Sequence, residues 1–544
     1  MRFLLLVSIF GLFILNLNAS SEVKKQWLEN KPRSYAKDFY IWRYLKQDIN
    51  ASEAIWALGQ ARYVNNKLLR RYANKLKHQD TNKVLKCMRL KALSFVKRDA
   101  ECIEVGLTSF KATKLKKNQL NKIIQTVKEP FPNSARRFEI INSNTPFKLL
   151  VKSSTKVFYE TFNETGGVFR VNNFNHPLPK SYIKELRKEK KHFEQTIRLI
   201  VTNPKLTKIQ ESLLTLNPNG LSHKSQFFLS INAIQHKKKK LALNYLKHSF
   251  KSAYFKFDQD KVRFWQYKLT NKKVYLDELA NSWDINMYSM IAKEQKNIIP
   301  KNIKYASIPN KQTITTESYD VTDPFSWIRV LRNIKKLDDT KVENYKNIFT
   351  TKETQGHLSF ILERYERYRN SYFALPYQDL LKDYTIHRQA LINAIARQES
   401  RFIPTSISTA YALGVMQIMP FLSKALAKEL KEPYDIDKQL TPSTNLRYAN
   451  KHLNYLERKL SNVLFVAYAY NGGIGFTKRI LRTGLFKKRE YEPYLSMELV
   501  PYDESKRYAK KVILNYMVYF NHLSKKEKTS MLTLMEKIKS PHQK

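Results

Sequence analysis

A single acid, Glu399, closes an apolar run in the segment IARQESRFIPTSISTAYALGVMQIMP, Ile395 to Pro420, and a glycine-broken apolar loop follows it. Helical spacing puts Ile392, Ile395, Ala396 and Glu399 on one face, so the carboxyl lies along the stripe a helix buries. Pro404 predicts that this helix stops near Ser400. A carboxyl there is expected to resist ionisation, because desolvation and the negative end of the helix dipole both oppose its charge. Such a group can give up a proton near neutral pH, as a glycosidase general acid must.

Cleaving a glycosidic bond ordinarily takes two carboxylates. The next acids after Glu399 are Glu429, Glu432, Asp435 and Asp437, which stand beyond the loop in a polar connection and read as surface charges. A one-acid site needs another nucleophile. Residues able to assist follow in order. Ser408 comes nine positions after Glu399, where it is either a turn residue or a substrate contact. Met416, Gln417 and Met419 follow Gly414; the amide can bond a hydroxyl or acetamido group, and the methionines can fill core or pack on a sugar face. Tyr470 and Asn471 precede Gly472-Gly473, a helix-ending turn, and Tyr470 is the expected hydrogen-bond partner of Glu399.

Four motifs stand in a fixed order: Glu399-Ser400, Gly414-Val415-Met416-Gln417, Ala469-Tyr470-Asn471, and Val500-Pro501-Tyr502-Asp503-Glu504-Ser505-Lys506-Arg507-Tyr508. Together they resemble the goose-lysozyme-like catalytic module of the family 1 lytic transglycosylases, most closely the large soluble periplasmic members. The resemblance implies cleavage of peptidoglycan between N-acetylmuramic acid and N-acetylglucosamine, with Glu399 as acid and then base and a 1,6-anhydro sugar as product. It implies that Ser408 and Glu504 hold substrate, that Tyr508 lines the site, that action is from strand ends, and that no cofactor is used. Glu498 reads as a weaker candidate that forms an ion pair. Three positions depart from the family pattern. Tyr411 stands for a small glycine and is expected to thicken the groove wall; Ser505 replaces Thr and Lys506 replaces Arg. Two other readings compete: a goose-type muramidase, which needs a water-positioning carboxylate the sequence does not offer, and a non-catalytic wall-binding helical scaffold, against which Glu399, Tyr470 and Glu504 argue.

The elements that must position these residues are helical. At 544 residues with 12 Gly and few strand signals, the chain reads as a multidomain all-α protein. Residues 20–380 are expected to form an α-superhelical array of paired helices, with apolar residues at helical spacing in Ala51 to Leu76, Ser225 to Phe250 and Lys261 to Leu279. Aromatics such as Phe264, Trp265 and Trp283 read as core knobs rather than sugar platforms. A boundary is expected between Asn370 and Tyr384, ahead of a lysozyme-like module over 384–523 long enough for its own core. Its helix from Asn445 to Leu460 is assigned to scaffold, and the tail 524–544 is expected to fray.

The N-terminal segment, residues 1–19, reads as a secretory signal cut after Ala19, with a retained anchor as the alternative. With the resemblance, that implies the periplasm of a Gram-negative bacterium, no membrane span after cleavage, a monomer, peptidoglycan strands as substrate and wall-synthesis proteins as candidate partners. Export disfavours nucleic acid as the partner of the +50 charge, and runs such as Lys237 to Lys240 read as solvated faces. A positive field of that size can still draw the chain to an anionic wall. Cys87 and Cys102 are either one disulfide or two core thiols. No HExxH or cysteine-rich set supports a metal.

Overall fold

A computed structural model describes residues 22–305 and 319–538. The signal segment lies outside the described residues. The described chain is predominantly helical, and among the described residues no helix is long and apolar enough to cross a membrane. One parallel pair of short strands, Ile303–Tyr305 with Ser371–Phe373, is the departure from an all-α reading. Its second strand falls at the expected boundary, where Tyr372 and Phe373 carry β-prone character.

The chain packs as two compact units that do not follow it in blocks. The first comprises the described residues of Met1–Leu76, Pro300–Tyr470 and Tyr508–Ser530; the second comprises those of Lys77–Ile299, Asn471–Arg507 and Met531–Lys544.

The second unit is an array of consecutive helix pairs, such as His223–Gln235 with Lys239–Ser252 and Lys256–Thr270 with Lys273–Ala280. With few glycines, the chain uses Lys237, Asn271 and Asn297 for left-handed residues at or just after helix ends, at φ 54 to 56°. Each costs roughly 1–2 kcal/mol beyond glycine unless, as for Asn, the side chain tolerates it. Trp265 is fully buried and Phe264 nearly so, which makes both core residues, whereas Trp283 is exposed. Cys87 and Cys102 are disulfide-bonded with Cα atoms 5.3 Å apart. The expected fraying of the tail is corrected in part: Met531–Glu536 is a helix with Met531 and Met535 buried, and the Glu294 carboxylate accepts from the Met531 and Leu532 amides. Those methionines were hidden in a stretch whose charge dominated its reading.

In the first unit the helix Ile386–Glu399 is started by Thr385, whose hydroxyl accepts from the Arg388 amide, and ends at Ser400. Every residue from Gln389 to Ala396 is buried, so the helix is enclosed on all sides rather than along one stripe. Its last turn is fixed by Arg397, which donates to the Tyr372 carbonyl, the Asn515 side chain and the buried Glu363 carboxylate. Arg401 pairs with the same carboxylate at 3.0 Å.

Candidate active site

Glu399 is half-buried, and its Oε1 accepts a 2.7 Å hydrogen bond from the Tyr508 hydroxyl. Tyr508 lies in the helix Asp503–Leu523. Two turns on, Asn515 accepts from Arg397 and donates to the Ala394 carbonyl at 3.2 Å, which sets the register that brings the phenol to the acid. The expected partner, Tyr470, is instead bonded to the Met416 carbonyl at 2.8 Å, although it lies near enough to feel the charge of Glu399. Sequence supplies two phenols at helical positions; tertiary register decides which one reaches the carboxylate. Burial first, and the Glu399 charge second, push both hydroxyls well above the ordinary tyrosine range. Both therefore remain protonated donors.

The loop behind the acid is pinned from several sides. Ser400 Oγ donates to the Val415 carbonyl at 2.7 Å. The Met416 amide donates to Asn445 Oδ1 at 2.7 Å, and Asn445 Nδ2 reaches the Leu413 carbonyl at 3.1 Å. Gly414 is required here. Its φ is +79°, and a Cβ would stand 2.2 Å from the Gln439 carbonyl oxygen. Asn445 was missed because its helix was read for its leucine stripe; the signal was a buried polar residue beside that stripe.

Other predicted residues receive definite places. Ser408 closes a turn, its hydroxyl accepting from the Ala412 amide at 2.9 Å. Met416 is fully enclosed and belongs to the core rather than to an open sugar face, while Met419 is half-buried at the start of the helix Pro420–Glu429. Gln417 gives its amide protons to the Ser406 and Gly414 carbonyls, at 3.0 and 2.8 Å, leaving its oxygen to meet a ligand. Tyr411 does not thicken a groove wall. At φ +64° it turns its ring into the core, 5.8 Å from Phe39 and 5.5 Å from Trp42. The tip of the loop is held from the same side, with Asn65 donating to the Thr409 carbonyl and Lys67 to the Ala410 carbonyl, both at 2.8 Å.

Asn471 and Glu504 belong to the second unit. There Asn471 Nδ2 donates to Glu504 Oε1 at 3.2 Å, and Ser505 Oγ donates to Asn471 Oδ1 at 2.6 Å. Ser505 thus retains the hydroxyl a threonine would bring. Lys506 is buried, paired with Asp503 at 3.1 Å and bonded to the Glu498 carbonyl, so its departure from arginine falls within packing. The Glu498 carboxylate is buried and accepts from the Tyr288 hydroxyl at 2.5 Å.

The acids that follow Glu399 in sequence are engaged elsewhere. Glu429 pairs with Lys451 at 3.9 Å, Glu432 with Arg447 and Asp437 with Arg43, and Asp435 accepts from the Asp437 amide. Among the described residues no group of three or more His, Cys, Asp or Glu could hold a metal.

Against known proteins, residues 381–492 match the family described as Transglycosylase SLT domain. The matched stretch contains Glu399, the pinned loop, Tyr470 and Asn471, and it ends before Glu504 and Tyr508. The soluble lytic murein transglycosylase of Escherichia coli K12 is 33% identical over 165 residues, covering 29% of this chain and 25% of the relative. That of Salmonella typhimurium is 33% identical over 156 residues, covering 28% and 24%. The chain thus matches about a quarter of the length of these curated relatives. Among solved structures, the lytic transglycosylase Slt of Pseudomonas aeruginosa gives a TM-score of 0.46 at 15% identity, covering 92% of this chain and 88% of that one. The 70 kDa soluble lytic transglycosylase of Escherichia coli gives 0.46 at 17% identity, covering 93% and 83%.

Proposed function

We propose that this chain is a peptidoglycan lytic transglycosylase, cutting the β-1,4 bond between N-acetylmuramic acid and N-acetylglucosamine and leaving a 1,6-anhydromuramoyl end. The observation that carries the reading is Glu399 held at a half-buried helix end by the Tyr508 phenol, with the acids that follow it in sequence paired elsewhere. One acid suffices when the substrate supplies the nucleophile. Glu399 gives its proton to the bridging oxygen as the bond to C1 breaks, and the 2-acetamido group stabilises C1. The carboxylate then takes the proton of the 6-hydroxyl as that oxygen bonds C1, so the acid is restored and no water is consumed. The curated relatives that this chain matches carry the name of this activity.

Tyr508 acts on the proton of Glu399, while Asn471 and the exposed Glu504 bind glycan, with Gln417 and Met419 supporting them. Tyr470 holds the backbone at Met416 in register. Action from strand ends and a goose-lysozyme-like module with a superhelical array rest on the sequence resemblance. Export to the periplasm is supported by the Cys87–Cys102 bridge, since such bonds persist in oxidising compartments. Incubating purified sacculi with the full chain tests the reading. Soluble anhydromuropeptides are expected from the wild type, and Glu399→Gln, which keeps size but cannot transfer the proton, should lower their release at least about a thousandfold. Release within tenfold of wild type would remove Glu399 from its role.

A further inference from the structure

A cavity of about 760 Å³ in the first unit has a charge balance unlike that of the chain. Among the described residues its walls carry five cations, Arg43, Lys46, Lys67, Arg71 and Lys424, against one carboxylate, Glu22. The whole chain has 97 Lys and Arg against 47 Asp and Glu, about two to one, and the cavity walls are more cationic than that average.

Compensation inside the cavity is poor. Among the described residues Arg43 is the one cation of the five with a carboxylate partner, Asp437. Lys67 donates to the Ala410 carbonyl, and Arg71 donates to the Trp42 carbonyl with its guanidinium 3.5 Å from the Trp42 ring centroid. Burial pulls Lys67 below its ordinary range and Arg71 down to about 10. Both are cations partly stripped of water and offered dipoles or a ring in place of a counter-charge, the condition in which an incoming anion gains most. Lys46 and Lys424 stand exposed at the mouth. Apart from Gln47, the remaining wall is apolar or aromatic and includes Trp42, Tyr434, and Phe421, which is 73% exposed and so presents an uncovered ring beside the charges.

We propose that this cavity binds a ligand carrying two or more oxyanion groups, carboxylate or phosphate, beside an apolar or sugar portion. Fixed guanidinium and mobile ammonium groups on one wall suit several oxyanions at once, and the volume suits a ligand of several rings or residues. Its position gives binding a consequence. Lys67 also holds the tip of the Ile407–Leu413 loop, and the Trp42 ring packs on Tyr411, so an occupant lies against the side chains that anchor the loop behind Glu399. The proposal stands on the cavity alone and does not depend on the reaction assigned to Glu399.

Calorimetric titration of the full chain with propane-1,2,3-tricarboxylate and with tripolyphosphate tests it, at about 50 and about 300 mM salt. Saturable one-site binding is expected, weaker at the higher salt. The paired reversal Lys46→Glu and Lys424→Glu, which leaves the loop contacts intact, should weaken it at least about tenfold. A control reversal on another exposed face, Lys239→Glu and Lys240→Glu, should change it less than about twofold. If the charge reversals at the mouth impair folding, Lys46→Gln with Lys424→Gln should still weaken binding more than the control does. Tighter binding of either probe supports the site and assigns its source, carboxylate or phosphate. No saturable binding by either probe, or equal weakening by mouth and control pairs, would overturn the proposal in favour of a diffuse field.

Discussion

The Tyr508 phenol bonds the oxygen of Glu399 directly, while Ser400 ties the next residue to the loop and Arg397 anchors the turn beneath. These give different failures on substitution. Tyr508→Phe removes a donor to the charged form, so the pH limb that reports Glu399 should move upward and turnover should fall, with little change in apparent Michaelis constant. Tyr470→Phe should lower turnover while leaving that limb in place, because its hydroxyl serves the Met416 backbone. A shifted limb in Tyr470→Phe and an unshifted one in Tyr508→Phe would reverse the two roles. Glu504→Gln should weaken glycan binding roughly ten- to a hundredfold, the worth of a charge-assisted hydrogen bond, with turnover nearly kept. The place of Glu399 at the end of a buried helix was legible, because a lone carboxyl closing an apolar helical run is uncommon. Its partner was not: Tyr470 and Tyr508 are equivalent until Asn515 fixes how the two helices meet.

At the scale of elements, the loop behind Glu399 is held from outside its own stretch. Asn65 and Lys67 on the helix Asn66–Leu76 and the turn before it grip its tip, and Tyr411 sinks into the cluster that contains Phe39, Ile41 and Leu413. Asn65→Ala with Lys67→Met should therefore lower turnover by about tenfold while leaving the midpoint of thermal unfolding within a few degrees, a result that kinetics and a melt together would check. Loss of the fold with no kinetic effect at permissive temperature would make those bonds merely structural. Gly414 was readable from the sequence as the glycine that breaks the apolar loop. Tyr411 was not, because only the tertiary contact explains a bulky residue at positive φ. A second element carries pH sensitivity. His357 is enclosed by Tyr319, Trp327 and Phe349 at 5.0 to 5.2 Å, and burial pushes its imidazole from 6.5 down to about 3. The folded state keeps it neutral while the unfolded chain takes up a proton below about 6.5. Its contribution is thus fully present above pH 6.5 and is lost as pH falls toward 3. His357→Phe should flatten that fall in denaturant titrations, and an unchanged slope between pH 6.5 and 4 would show that other groups set it.

Across the whole molecule, the helical class and the order of the motifs were legible, because 3.6-residue spacing and turn residues are local signals. The packing was not. Apolar stripes give residues 384–523 the look of a self-sufficient module, yet residues 300–470 pack in one unit with the N-terminal helices, and residues 471–507 belong to the other unit. Excised, residues 384–523 would leave Phe39, Trp42, Asn65 and Lys67 behind, and the fragment is expected to lack a cooperative thermal transition by circular dichroism. A transition near that of the full chain would show that these contacts are dispensable. The most direct test of the central claim is the fate of water. Sacculi digested by the wild type in water enriched in heavy oxygen should yield muropeptides that end in 1,6-anhydromuramic acid and carry no label, because the 6-hydroxyl closes on C1. Reducing ends labelled at C1 would mean that water is the nucleophile, and the account of Glu399 as a lone acid working with a substrate hydroxyl would be wrong.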